Sequence, residues 1–207
     1  MTSSEIELPG GVRGRPLAVE GAWEFAPPVH GDARGVFVSP YQEPAFVEAV
    51  GHPLPVVQTN QNRSAAGVIR GVHFVLGQEK LVHCSRGRAL DLVVDLRVGS
   101  PTFGAWDAVE MDDESFRALY FPPGTGHAFA ARADDTVMSY LVSTSYDPEA
   151  ERTVHPLDAE LALPWPAGAD PILSARDRDA PTLRGAAERG LLPHYPEVPH
   201  VARPARQ

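Results

Sequence analysis

Hydrophobic residues along the chain fall into short runs separated by turn residues. Gly35-Val36-Phe37-Val38, Ala89 to Leu96 (ALDLVVDL), Trp106 to Met111 and Ala118 to Phe121 are rich in Val, Leu and aromatics. Each is bounded by Gly, Pro, Asp or Ser. Runs of this length are strands rather than helices. They recur from Leu17 to about Val142 without helical periodicity between them, which predicts an antiparallel sandwich or barrel, an all-β fold. One short helix is expected at Glu43 to Val50, and the run Gly99 to Gly104 is a loop between strands. Residues 1–16 are mostly polar, end in a Gly- and Pro-rich turn, and read as a loose tail. Beyond Tyr146 the pattern changes. Pro148, Pro156, Pro164 and Pro166, mixed with acids, predict an irregular segment. Thr182 to Gly190 reads as a helix, with Thr182 as its cap and Gly190 and Pro193 at its end. Gly185 inside it lowers the helical propensity. The expected organisation is a tail over 1–16, one domain over 17–195 and a second tail over 196–207.

The chain has 207 residues, 43% of them hydrophobic and 22% charged, an ordinary mix for one packed domain. Its formal net charge of -9 argues against non-specific nucleic-acid binding. A local Arg cluster can still meet an anionic ligand. One cysteine, Cys84, excludes an intramolecular disulfide framework. No apolar run approaches the ~18 residues of a membrane span, and the N-terminal residues lack a signal-peptide pattern. A cytoplasmic protein without membrane contact is expected. Proline, 21 residues, is about twice the usual ~5%, so long helices should be few. The basic residues are 17 arginines and a single lysine, Lys80. Either that is chance, or the position needs an ammonium that a guanidinium cannot replace.

Several residues are candidates for chemistry. In Arg70-Gly71-Val72-His73-Phe74, strict alternation puts Arg70 with Val72 on one face and His73 with Gly71 on the other. A bulge or a glycine-permitted twist would bring Arg70 and His73 to one cavity; otherwise they are a surface Arg and a core His. Lys80, Val82 and Cys84 share one face of the next run, and Leu81 and His83 the other. A lysine aimed into a barrel is desolvated and suits a developing oxyanion, whereas a solvated lysine is the commoner use. His127, between Gly126 and an apolar run, is either a barrel-mouth residue or a loop His bonded to backbone. Tyr140 sits in a strand, where a tyrosine is usually core with its hydroxyl bonded. Asp158, after Pro156, suits a turn cap. Three histidines, His73, His83 and His127, would suffice for a metal site, but no His-x-His pair exists. There is no GxGxxG, P-loop or GxSxG motif.

Taken in order, these runs resemble the dTDP-4-dehydrorhamnose 3,5-epimerase family. The resemblance is carried by Asp32-Ala33-Arg34-Gly35, Gln58-Thr59-Asn60-Gln61-Asn62-Arg63-Ser64, Gly67 to Phe74 and Lys80-Leu81-Val82. It continues through Gly87, Leu90 to Arg97, Gly99 to Gly104, Pro122-Pro123-Gly124, His127 and Trp165-Pro166. It covers roughly residues 17–195. The C-terminal pattern, LSARDRDAPTL and then GLLPHY, is similar to the branch that modifies deoxysugars for antibiotics.

The resemblance implies a cupin-type antiparallel β-barrel (jelly roll) with short peripheral helices, commonly a homodimer, working without a metal or other cofactor. The implied partner is a dTDP-linked 4-keto-6-deoxysugar, inverted at C3, C5 or both. It implies His73 as general base, Tyr140 as the acid on the opposite face, Asp158 as the aspartate that orients the histidine, and Lys80 at the keto oxygen. Arg34, Gln58, Asn60, Arg70 and His127 fall at positions around the nucleotide sugar. The chemistry suits those types: a proton beside a ketone needs a base, and the enolate oxygen needs a positive charge. The sequence departs from the family pattern at Val75, at Ser39, at Ala128 and in a short segment between His73 and Lys80, all around the site. Competing readings are a related barrel isomerase that moves the keto group, a metal-dependent cupin enzyme, and a non-catalytic sugar-binding barrel.

Overall fold

A computed structural model describes residues 4–166 and 170–195. Its strands are β1 (Ile6–Glu7), β2 (Arg13–Pro16), β3 (Trp23–Ala26), β4 (Val29–Asp32), β5 (Gly35–Val38), β6 (Gln58–Ser64) and β7 (Ile69–Val75). They continue with β8 (Lys80–Arg86), β9 (Arg88–Asp95), β10 (Trp106–Asp112), β11 (Ala118–Phe121), β12 (Thr125–Ala131), β13 (Thr136–Val142) and β14 (Glu151–Thr153). Three short helices are α1 (Glu43–Val50), α2 (Ala175–Arg178) and α3 (Leu183–Glu188). One sheet has the order β1-β2-β3-β11-β8-β13-β6, the second β10-β9-β12-β7-β14, and β4 and β5 form a separate hairpin. The pairings within all three are antiparallel. This is the expected all-β jelly roll. No helix among the described residues is long and apolar enough to cross a membrane.

Alternation along the strands sorts side chains into three cores. Val82, Cys84 and Met138 of one sheet meet Ala89, Val93 and Phe129 of the other between the sheets. The outer face of the five-stranded sheet, with Leu92, Val94 and Ala128, is covered by the C-terminal Leu161, Leu163, Leu183 and Leu192. The outer face of the other sheet is covered by α1 through Ala45, Phe46 and Ala49. Residues 4–16, expected as part of a loose tail, are not one. Leu8 and Val12 are buried in this third core, and β1 and β2 extend the sheet. The expected tail over 196–207 lies outside the described residues.

One irregularity decides what faces the interior. Between β12 and β7, His127 pairs with His73 and Phe129 with Arg70, so two steps along β12 span three along β7. The extra residue is a β-bulge. Ile69, Val72 and Phe74 consequently all point to the outer core, while Arg70 and His73, three apart, turn inward. Gly71 makes the close approach possible. A Cβ there would lie 2.3 Å from the Ala128 Cβ and 2.7 Å from its Cα, on a backbone with φ of +140°. Gly71→Ala is therefore expected to cost about 1–3 kcal/mol, lowering Tm by roughly 2–12 °C. A melting curve superimposable on the wild type would show that the bulge accommodates a side chain.

Candidate active site

Polar side chains from both sheets converge between them. The five-stranded sheet contributes Arg70 and His73 from β7, Asp91 from β9 and His127 from β12. The seven-stranded sheet contributes Lys80 from β8, Tyr140 from β13, and Gln58, Asn60, Asn62 and Ser64, spaced by two along β6. Period two places those four β6 side chains on one face.

His73 lies within 2.6 Å, through Nε2, of Asp177 Oδ1. The carboxyl comes from α2, where the Asp177 N–H donates to the Ser174 hydroxyl, the helix cap, at 3.0 Å. Burial alone would raise the Asp177 carboxyl. The hydrogen bond and charge of His73, the Ser174 contact and the Gly71 amide outweigh it and hold the group below its ordinary value. An ionised carboxylate only accepts, so Nε2 carries the proton and donates, and Nδ1 keeps its lone pair as a base. Among the described residues no hydrogen bond engages Nδ1. The His73 side chain is 27% exposed, open enough to meet a ligand.

This pairing corrects the expectation for Asp158. Its Oδ1 accepts from the Glu160 N–H at 2.9 Å and its Oδ2 from the Leu183 N–H at 2.6 Å. Asp158 thus closes a turn and satisfies a free amide at the start of α3, and both its oxygens are spent on backbone. The aspartate that orients His73 is Asp177.

Lys80 is buried, yet its ammonium makes one long hydrogen bond, 3.5 Å to the His73 carbonyl oxygen, and stands 5.5 Å from the centre of the Phe121 ring. Burial lowers its pKa to about 8, with Glu151 and Asp91 pulling the other way. An ammonium with most of its donors unspent is poised for an anionic oxygen. Tyr140 is on the neighbouring strand of the same sheet as Lys80, across the interior from His73. Its hydroxyl accepts from Asn62 Nδ2 at 2.8 Å, and burial pushes the phenol well above its ordinary value, so it carries its proton at neutral pH.

His127 is buried between these groups, its ring 5.6 Å from that of Tyr140 and 4.6 Å from that of Phe121. Nε2 lies 2.6 Å from Asp91 Oδ1. Burial lowers the His127 pKa more than Asp91 raises it, so the imidazole is neutral at pH 7. This second His–Asp pair was not expected from the sequence, although a carboxylate in the apolar run ALDLVVDL signals a buried acid that needs a partner. Arg70 donates from Nε to the Ser64 hydroxyl at 3.1 Å. Gln58 donates to Asn60 Oδ1 at 2.6 Å and accepts from the Tyr146 N–H at 3.0 Å.

Two expected residues lie elsewhere. Arg34 is on the exposed hairpin of β4 and β5, its side chain 90% exposed and ion-paired with Asp32 at 2.5 Å, because a two-stranded hairpin has no core to bury it. His83 shares the face of Leu81, away from His73 and His127, so the three histidines do not converge. Among the described residues no group of three His, Cys, Asp or Glu side chains could hold a metal ion. A separate groove of about 1160 Å³, lined by Trp23, His52, Glu79, Tyr120 and Pro193 among others, includes none of His73, Lys80, Tyr140 or Asp177.

A site with a carboxylate-oriented imidazole, a buried ammonium and a protonated phenol, held on facing walls, can remove and return a proton beside a carbonyl. Comparison with known proteins agrees. Residues 16–185 match the family model described as dTDP-4-dehydrorhamnose 3,5-epimerase. A dTDP-4-dehydrorhamnose 3-epimerase of Streptomyces niveus is 49% identical, over 94% of this chain and 95% of that protein. The crystal structure of NovW, a 4-keto-6-deoxy sugar epimerase from the novobiocin cluster of Streptomyces spheroides, is similar with a TM-score of 0.89. It is 48% identical, over 94% of this chain and 98% of that one. ChmJ, a 3'-monoepimerase of Streptomyces bikiniensis solved with dTDP-quinovose, has a TM-score of 0.84 and 45% identity, over 87% and 93%. The chain belongs to the dTDP-4-dehydrorhamnose 3,5-epimerase family.

Proposed function

We propose that this protein inverts C3 of a dTDP-linked 4-keto-6-deoxyhexose, with or without C5, in deoxysugar biosynthesis for an antibiotic, and does so in the cytoplasm as a homodimer. The observation that carries the reading is the placement of His73 and Tyr140 on facing sheets with the Lys80 ammonium beside His73. A relative at 49% identity is named a 3-epimerase, which supports C3. The homodimer is supported by the hairpin of β4 and β5, where Val36 is 61% and Phe37 69% exposed, and by the unpaired edge of β6. In a single chain Arg34 sits on that hairpin in solvent, so its part in substrate binding rests on this association.

The geometry supports the following steps. His73 Nδ1 takes the proton from the carbon beside the ketone, and the electron pair moves to the keto oxygen. Lys80 stabilises the resulting enolate charge, and Asp177 stabilises the imidazolium. Tyr140 then donates its phenol proton to the carbon from the opposite face; solvent returns a proton to the phenolate and takes the one held by His73, so both groups are restored. Arg70, His127, Gln58 and Asn60 surround the nucleotide sugar.

Incubation of dTDP-4-keto-6-deoxyglucose in deuterated solvent tests the function. Deuterium at C3, with the ketone still at C4, is expected, and His73→Ala should lower that exchange by about 10²–10⁴-fold while dTDP still binds. A relocated ketone would mean an isomerase, and unimpaired exchange in His73→Ala would remove His73 from the mechanism.

The two aspartates should separate cleanly. Asp177→Asn should cut turnover by about 10²-fold or more, since an amide no longer holds the tautomer. Asp158→Asn should keep turnover within a few-fold and lose about 1 kcal/mol of stability as the cap weakens. The opposite pattern of rates would restore Asp158 as the orienting group.

Lys80 predicts a pH limb. The ammonium is charged below its pKa of about 8 and neutral above it, so kcat/KM should fall as pH rises past about 8. Lys80→Met should lower kcat by about 10²–10³-fold and abolish that limb. A limb that persists in Lys80→Met belongs to another group.

A further inference from the structure

Tyr140 has one hydrogen-bonding side chain on its hydroxyl among the described residues, and it is one to which the mechanism above gives no part. Asn62 stands on β6 opposite Met138, diagonally across from Tyr140, which itself pairs with Asn60. Its Nδ2 donates to the phenol oxygen at 2.8 Å. Its Oδ1 is buried without a hydrogen-bond partner. The neighbouring Met138 belongs to the interior core and offers the phenol no N–H or O–H donor.

A phenol oxygen carries one proton and lone pairs. A donor occupying a lone pair leaves the proton free to point elsewhere, whereas an acceptor at the same place would capture it. Once the proton has gone to carbon, the same N–H faces a phenolate, and a hydrogen bond to an ion is about twice as strong as one between neutral groups. The contact is therefore worth most after the transfer, where it changes the rate of that step. Its effect is confined to the second half of the reaction, because deprotonation by His73 takes place on the other sheet.

We infer that Asn62 is the positioning residue for the opposite-face proton donor: its amide directs the Tyr140 proton into the interior and stabilises the phenolate left behind. The inference rests on the reading of Tyr140 as that donor. In the step, the Tyr140 O–H bond breaks and a C–H bond forms on the face opposite His73. The O–H electron pair stays on the phenolate oxygen, and solvent restores the proton. Asn62 thereby sets how often the enolate is inverted rather than given its proton back from the original face.

The test reads the ratio of inverted product to deuterium-exchanged substrate, by NMR in deuterated solvent, in the wild type and in Asn62→Leu, Asn62→Asp, Tyr140→Phe and the Asn62→Leu/Tyr140→Phe double variant. Asn62→Leu should lower the ratio roughly tenfold, the worth of one hydrogen bond to an ion, with total exchange changed less than about two-fold. Asn62→Asp has the same shape, but its carboxylate accepts the phenol proton, so the ratio should fall there too; it carries the test alone if Asn62→Leu fails to fold. The double variant should match Tyr140→Phe, because one group acts through the other. A ratio lowered by Tyr140→Phe but untouched by Asn62→Leu overturns the inference and leaves Tyr140 as the acid. A ratio restored to the wild-type value in Asn62→Asp shows that Asn62 only fills space and also overturns it. Independent, multiplying losses in the double variant do the same. A ratio unaffected by Tyr140→Phe removes the acid itself, and the inference with it.

Discussion

The hydrogen bond between His73 and Asp177 sets the direction in which the whole site can act. An ionised carboxylate takes the Nε2 proton, so the ring's remaining lone pair, on Nδ1, is the one that can work as a base. That arrangement needs His73 inside the barrel and Asp177 brought back from the far C-terminal part of the chain. The first comes from the extra residue in β7, which turns His73 to the interior face that Arg70 already shares. The second comes from a helix of only four residues, capped by Ser174. Gly71 belongs to both: its missing side chain lets β7 approach Ala128, and its amide is among the groups that hold the Asp177 carboxyl down.

The remaining polar groups make sense as a set that survives burial. A charge between two apolar sheets costs free energy unless it is paired or its pKa moves. Lys80 is paired weakly and its pKa is lowered, which leaves most of its donors unspent. Tyr140 and His127 respond to burial in opposite senses but to the same end, since each is kept neutral. Asp91 has one oxygen in a hydrogen bond with the neutral imidazole of His127. The interior therefore holds positive charge at Lys80 as well as at Arg70, and a protonated phenol on the wall opposite His73.

Much of this was legible in the sequence, for physical reasons that differ by element. Gly35 to Val38 and Ala118 to Phe121 are strands as the pattern predicts, and α1 spans Glu43–Val50, because their apolar runs are bounded by turn residues or, for α1, end at Gly51. Thr182 caps α3 as expected, accepting from the Gly185 N–H at 3.1 Å. The bulge in β7 was not legible as a fact, since its register depends on β12, but Gly71 marked where it could occur. Asp177 was missed because four residues are too few for a helical period. The available signal was Ser174 three positions before it, a cap pattern that equally suits a turn. Asp158 misled because resemblance places an aspartate in an irregular segment without saying which one folds back. Residues 4–16 give no such signal because Leu8 and Val12 are too sparse to show a period, and their place comes from the sheet and the outer core that they join.

The central claim is that Asp177 holds His73 with its proton on Nε2, leaving Nδ1 as the base. Nitrogen-15 NMR of the histidine rings at neutral pH reads this directly. The account predicts for His73 a protonated Nε2 with a proton shifted downfield by the carboxylate, an unprotonated Nδ1, and loss of that pattern in Asp177→Asn but not in Asp158→Asn. A proton on Nδ1 in the wild type, or a pattern unchanged by Asp177→Asn, would contradict it.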